Sequence, residues 1–169
     1  LMVDDLIISK SIFNNYFQKI SKWVNRKKPK YLRLHKTNRP EFYDKLVGKI
    51  PFEVPYRASA MPSIWNKIEL KNFLKKNESA WEFEILGSQR VSKIDDFYSV
   101  YENFISYENS IIKGKWQRSV FAKYKIHSSE RPKMKISEQF IYDLRVIKSK
   151  IFNLLPFKIR IALNNLKLF

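Results

Sequence analysis

Two adjacent carboxylates, Asp4 and Asp5, interrupt an apolar run, Leu1–Val3 before them and Leu6–Ile8 after. A carboxylate is tolerated in apolar surroundings when it is paired, hydrogen-bonded or bound to a metal. Two of them at the end of a strand present hard oxygen ligands of the kind that Mg²⁺ and Mn²⁺ combine with phosphate oxygens. The competing reading is a turn capped by Asp5 with Asp4 in solvent. A second set of reactive groups lies in PYRASAMPSIWNKIELKNFLKKNESAWEFEILGSQRV, residues 55–91, which holds Trp65, Trp81, Glu78, Glu82 and Glu84. Glu78 and Glu82 are four apart and share a helix face, while Glu84 points elsewhere. A carboxylate beside Trp81 has surroundings that raise its pKa toward the range of a general base. The plainer alternative is a surface helix with glutamates in its first turn, where the helix dipole favours them.

These groups need elements to hold them. Residues 1–8 read as a buried strand with the Asp pair at or near its end. Apolar residues at Ile12, Phe13, Tyr16, Phe17, Ile20, Trp23 and Val24 follow three- and four-residue spacing, which predicts a helix over about 13–25. NRKKPK closes it as a basic turn, and Tyr31–Leu34 alternates like a short strand. From His35 to Pro55 the pattern is weak and punctuated by prolines and Gly48, which predicts a long loop with one helical turn near 43–47. Tyr56–Trp65 reads as extended and Asn66–Lys75 as a helix. Ser79, three residues before Glu82, predicts a capping box opening a helix to Val91. Strands are expected at 96–101 and 107–112, a turn at Gly114 and a short helix at 117–124. Phe140, Ile141, Leu144, Ile147, Ile151, Leu154 and Leu155 are spaced as on a helix, broken by Pro156 and followed by a second amphipathic piece.

Composition bounds the rest. A chain of 169 residues that is 44% apolar and 15% aromatic builds a core, which argues against global disorder. With no cysteine, disulfides and thiolate metal sites are excluded. No apolar run reaches the ~18 residues of a membrane span, and Asp4 and Asp5 break the signal-peptide pattern. A core-like strand at the first residue raises the expectation of a larger parent protein. A net charge of +17 calls for a polyanionic partner: nucleic acid, an anionic membrane surface or phosphorylated small molecules.

VDD (3–5), YRASAMPSIW (56–65), NESAWEFE (77–84) and KGKW (113–116) occur in the order seen in a family of bacterial GT-A-type glycosyltransferases of capsule and O-antigen gene sets, which residues 1–125 resemble. The resemblance implies an α/β fold, a GT-A-like (Rossmann-like) mixed sheet flanked by helices. Because GT-A folds begin with a nucleotide-binding βαβ region ahead of the Asp pair, residues 1–135 would be the C-terminal part of such a domain. Residues 136–169 would be an amphipathic basic helical tail. It further implies a cytoplasmic transferase that moves a sugar from a nucleotide-diphosphate donor to a surface-polysaccharide or lipid-linked acceptor, assisted by Mn²⁺ or Mg²⁺. Asp4 and Asp5 would match the metal-binding element, and Glu82 or Glu84 the base, with Glu82 preferred for its place beside Trp81. Trp65 and Trp81 would offer faces to sugar rings, and Arg57, Lys113 and Lys115 would meet phosphate oxygens. A late histidine serves as a third metal ligand in such enzymes, but His127 in its polar loop reads first as solvated.

The tail has three readings: a core helix with a basic face, a nucleic-acid contact, or, favoured for about residues 144–169 because a lipid-linked acceptor lies there, peripheral contact with an anionic membrane at the inner face of the cell. The alternative functions are a basic nucleic-acid-binding module, which explains the charge and the lysines around Tyr31, Arg33 and Trp116 but leaves the Asp pair unexplained, or an inactive fragment.

Overall fold

The structure, a computed structural model, describes residues 5–10, 14–37, 40–103, 105–127 and 130–154. The chain forms two compact units, 1–108 and 109–169. The sequence places the start of the basic tail at 136; the two units divide between Glu108 and Asn109. The fold is mixed α/β, with a mixed five-stranded sheet in the first unit.

The first unit begins with β1, Leu6–Ile8, and α1, Asn14–Lys27. The strand expected over 1–8 is shorter than that, and Asp5 sits in a half-buried turn just before it. Asp4 lies outside the described residues. Then come β2 (Tyr31–Arg33), β3 (Glu41–Phe42), β4 (Val47–Lys49) and β5 (Ser63–Trp65). The span 35–55, expected as a loop, thus contributes two strands of the sheet. A Cβ on Gly48 would stand 2.6 Å from the Glu41 carbonyl and 2.9 Å from the Tyr101 ring, so its glycine marks a close approach rather than a loop. Helix α2, Lys67–Phe73, starts where the Asn66 side chain accepts from the Ile68 and Glu69 N–H groups.

A single helical run then covers 80–90: α3 (Ala80–Glu82), a five-residue π-turn (Phe83–Gly87) and α4 (Ser88–Arg90). The expected capping box is present, with the Glu82 N–H donating to Ser79 Oγ at 3.2 Å and the Ser79 N–H to Glu82 Oε2 at 2.8 Å. The π-turn has a local cause. Ser88 Oγ lies 2.5 Å from the Glu84 carbonyl and 3.1 Å from the Ala58 carbonyl, and accepts the Ala58 N–H at 3.0 Å. A hydroxyl drawn into the main-chain ladder while tied to a neighbouring loop perturbs regular helical bonding. Two more strands follow, β6 (Phe97–Val100) and β7 (Tyr107–Asn109); β1 pairs with β7.

The five-stranded sheet runs β3-β4-β6-β2-β5. Only β2 and β6 are parallel, in the register Tyr31–Phe97, Leu32–Tyr98, Arg33–Ser99; the other pairs are antiparallel. Alternation divides its side chains. Leu32, Tyr98 and Val100 join Ile20 and Trp23 of α1 in one core, closed by Val47 and Ile105. Tyr31 and Phe97 turn the other way and pack with Phe73, Phe83, Ala58 and Val91 beneath α2 and the 80–90 run. The sheet is therefore covered on both faces, and Arg33 and Ser99 fall on the second face at the carboxyl ends of the parallel pair.

The second unit holds β8 (Ile111–Ile112), β9 (Lys115–Trp116), α5 (Arg118–Lys123) and α6 (Ile136–Leu154). Gly114, at φ 75°, makes the expected turn between β8 and β9. The second amphipathic piece expected after Pro156 lies outside the described residues. No helix among the described residues is long and apolar enough to cross a membrane.

Candidate functional site

Ligands of α/β sheets gather beyond the carboxyl ends of parallel strands. In the first unit that place is a cleft of about 600 Å³, lined by Arg33, His35, Lys36, Thr37, Tyr56, Ser59, Glu84 and Tyr107, among others. The volume is that of an ordinary small-molecule site.

Glu84 enters it from the π-turn. Its Oε1 accepts the Ser59 hydroxyl at 2.6 Å and the Ala60 N–H at 2.8 Å. Both donors come from the extended segment 56–62, and the Met61 N–H in turn donates to Ser59 Oγ at 3.1 Å. One carboxylate oxygen is thus fixed by two donors. Short helical irregularities of this kind often occur at functional sites.

Arg33 enters from the end of β2. Its Nε lies 3.2 Å from the Tyr31 hydroxyl and its Nη1 3.3 Å from Thr37 Oγ1, while Nη2 donates to the Tyr56 carbonyl. Tyr56 is held at φ 55°, a left-handed conformation unusual for a bulky side chain. Its exposed ring stands 6.3 Å from that of Trp81, and the two form an aromatic ledge. Thr37 is anchored by its N–H to Ser99 Oγ at 3.0 Å, and Lys36 by its N–H to Asn103 Oδ1 at 2.7 Å. His35 lies against Tyr107 with ring centres 5.6 Å apart. Burial holds the His35 imidazole below its ordinary pKa, and the charge of Arg33 pushes the same way. Burial pushes the Tyr107 phenol up, with Arg33 pulling it down and Glu84 pushing it up. Among the described residues, one carboxylate, one guanidinium, the Lys36 ammonium, an imidazole of depressed pKa and two phenols therefore share the cleft.

The sequence-predicted residues divide. Glu84 is in the cleft and Trp81 on its aromatic ledge. Glu82 is not among the lining residues: its carboxylate serves its own cap, and the Ser79 hydroxyl and N–H hold its pKa below the usual carboxylate range, contrary to the raised value expected beside Trp81. Arg57 is enclosed, at 1% exposure, and donates to the Pro51, Val91 and Ile50 carbonyls at 2.9, 2.5 and 3.3 Å. Trp65 packs among Tyr31, Phe73, Phe83 and Phe97. Glu78 forms a two-pronged pair with Arg90. Lys113 and Lys115 belong to the second unit, where Lys115 Nζ meets Glu138 Oε1 at 2.6 Å. His127 is an exposed loop residue.

Sequence reading gave no role to Arg33 as a site residue, nor to Ser59 or Tyr107. The signals for the first two were present. Alternation in Tyr31–Leu34 puts Arg33 on the face of Tyr31 at a strand end, and Ser59 is the serine of the YRAS motif. Tyr107 carries no local mark.

For the divalent cation implied by the resemblance, the described residues offer Asp5 as a hard ligand, and among them no group of three His, Asp or Glu side chains is gathered for a metal. One or two carboxylates can suffice for Mg²⁺ or Mn²⁺ when phosphate oxygens and water complete the shell; Asp5 is not among the residues that line the cleft, and Asp4 lies outside the described residues. No protein-family model, no curated protein and no solved structure matches the chain.

Proposed function

We propose that the cleft of the first unit serves glycosyl transfer from a nucleotide-diphosphate sugar to a hydroxyl of a surface-polysaccharide or lipid-linked glycan. The observation that carries this reading is Glu84, with one carboxylate oxygen fixed by Ser59 and Ala60, at the carboxyl ends of two parallel strands and beside Arg33. Glu84 is the base. Its second oxygen takes the proton of the acceptor hydroxyl as that oxygen attacks the anomeric carbon, while the bond from that carbon to the diphosphate oxygen breaks and its electron pair leaves with the diphosphate. Ser59 and Ala60 orient the carboxylate, and a positioned base of this kind contributes about 10²–10⁴ in rate. Arg33 sets positive charge near the departing group, and Tyr56 with Trp81 offers flat faces to a sugar ring. Asp4 and Asp5 are the residues proposed to hold a divalent cation, which supplies further positive charge toward a diphosphate when bound.

The test combines calorimetric titration of UDP and GDP, with and without Mn²⁺, with transfer assays on a panel of nucleotide sugars, using the full chain. Glu84→Gln is expected to keep nucleotide binding and lose about a hundredfold or more in turnover. Turnover unchanged in Glu84→Gln removes the base assignment. Failure of either nucleotide to bind, together with salt-sensitive binding of random single-stranded DNA, moves the basic nucleic-acid-binding reading to the front.

A further inference from the structure

Helix α6 is turned inside out relative to an ordinary surface helix. Its contacts within the second unit run through polar side chains. Gln139 is buried, accepting the Arg118 N–H at 2.9 Å and donating to Asp143 Oδ1 at 2.9 Å; Glu138 meets Lys115; and the Tyr142 hydroxyl lies 3.5 Å from Gln117 Nε2. Val146 and Phe152 are half-buried, but most of its apolar residues face out. Ile136, Phe140, Leu144, Ile147 and Ile151 follow one another at spacings of four, four, three and four, which is one stripe of a helix, and each is between 49 and 75% exposed. A contiguous apolar stripe on the solvent side marks a surface that something covers.

Charge decides what. Lys148 and Lys150 lie on either side of the stripe. After Asp143 the sequence holds no acidic residue to its end, and holds Arg145, Lys148, Lys150, Lys158, Arg160 and Lys167. A second copy set parallel along the stripe would bring Lys148 and Lys150 against themselves, because the carboxylates of α6, Glu138 and Asp143, lie nearer its start and already meet Lys115 and Gln139, where paired helices ordinarily set opposite charges beside the apolar seam. An anionic lipid surface answers both features at once: acyl chains take the stripe, and headgroup phosphates take the lysines. One flank is also shaped for a headgroup. A cleft of about 230 Å³ lies beside Ile141 and is lined by Lys113, Lys115 and Arg145. Lys115 is engaged by Glu138, and among the described residues no ion pair holds Lys113 or Arg145.

We propose that α6 is an interfacial helix that lies in the plane of an anionic membrane, its Ile136–Ile151 stripe in the acyl boundary and its flanking lysines on headgroups. This surface belongs to the second unit and does not depend on the chemistry of the Glu84 cleft.

The full chain is sedimented with phosphatidylcholine vesicles, with and without about 30 mol % phosphatidylglycerol, in about 0.1 M salt. Binding is expected with the anionic vesicles and not with the neutral ones. The double variant Phe140→Gln with Ile147→Gln removes apolar area without altering charge, at exposed positions where folding is indifferent to the change. It is expected to weaken vesicle binding by about tenfold or more. Since the chain has no cysteine, Ile147→Cys takes a single environment-sensitive fluorophore, whose emission is expected to shift to the blue with anionic vesicles. Equal binding of the double variant and the parent would leave charge adhesion alone and overturn the proposal. So would a fluorophore that stays in water, a concentration-dependent dimer abolished by the double variant, or absence of vesicle binding beside retained binding of single-stranded DNA.

Discussion

Helices α1 and α6 carry the same kind of pattern and meet opposite fates. In α1 the stripe of Ile20 and Trp23 is sealed beneath Leu32, Tyr98 and Val100, and the Trp23 indole N–H donates to Asp44 Oδ2 at 2.6 Å. In α6 the stripe of Ile136, Phe140, Leu144, Ile147 and Ile151 stands open, and the polar flank does the packing. Periodicity thus identifies a face but not its partner. The partner is set by what the chain brings back to that face. For α1 it brings back a sheet; for α6 the described residues bring back none.

The largest expected effect breaks this contrast directly. Trp23→Ala removes a sealed indole and is expected to cost about 3–5 kcal/mol of stability. Phe140→Ala removes an exposed ring and is expected to change stability by less than about 0.5 kcal/mol. Urea unfolding followed by far-ultraviolet circular dichroism measures both. Comparable losses from the two would mean that the α6 stripe is covered within the chain in solution, and would remove the basis for placing it on a membrane.

How far the sequence foretold this depends on the range of the contact concerned. The Ser79–Glu82 capping box and helices α1 and α2 were all readable because each closes within a few turns of chain. Strands β3 and β4 were not. Their two or three residues are too short for a period to show, and Gly48, which looks like a loop residue, is there because Glu41 and Tyr101 approach too closely for a side chain. The cleft was half legible. Glu84 sits in a motif, but the reading preferred Glu82, whose carboxylate the local cap consumes. Arg33, Glu84 and Tyr107 meet only because the parallel pairing of β2 with β6 closes a loop of more than sixty residues, and no local pattern carries that information.

Two arginines sharpen the comparison at intermediate size. Arg33 and Arg57 both spend guanidinium donors on backbone carbonyls, yet Arg33 borders the cleft and Arg57 is sealed between Phe97 and Phe52. Burial draws the Arg57 pKa down, but an arginine remains charged, so its three carbonyl partners satisfy a cation with no carboxylate bonded to it. Arg57→Met leaves the Ile50, Pro51 and Val91 carbonyls without these donors and is expected to cost about 3 kcal/mol in urea unfolding. Arg33→Met is expected to cost about 1 kcal/mol, since water reaches the groups it leaves. If Arg57→Met unfolds like the parent but no longer binds nucleotide, the buried arginine is a ligand group after all and the enclosed half of the comparison fails.

The smallest effect is a separation in pH between a group in the open cleft and a group in the enclosed scaffold. His35 is depressed below its ordinary 6.5 by burial first and by Arg33 in addition. Its stabilising contribution is therefore complete above 6.5 and is lost as pH falls from there through its folded value, because the unfolded chain takes up the proton first. Glu78 is depressed below its ordinary 4.5 by its hydrogen bonds to Arg90, at 2.8 and 2.7 Å. Its contribution is complete above 4.5 and is lost only as pH falls below that value, through its folded pKa. The two windows do not coincide. Unfolding midpoints measured in small pH steps are expected to lose their slope just below 6.5 in His35→Gln and to keep it in Glu78→Gln, with the reverse below 4.5. Should both variants flatten the same limb, the cleft and the Arg90–Glu78 clamp titrate as one network, and the line drawn here between an adaptable site and a fixed scaffold would have to move to include the clamp in the site.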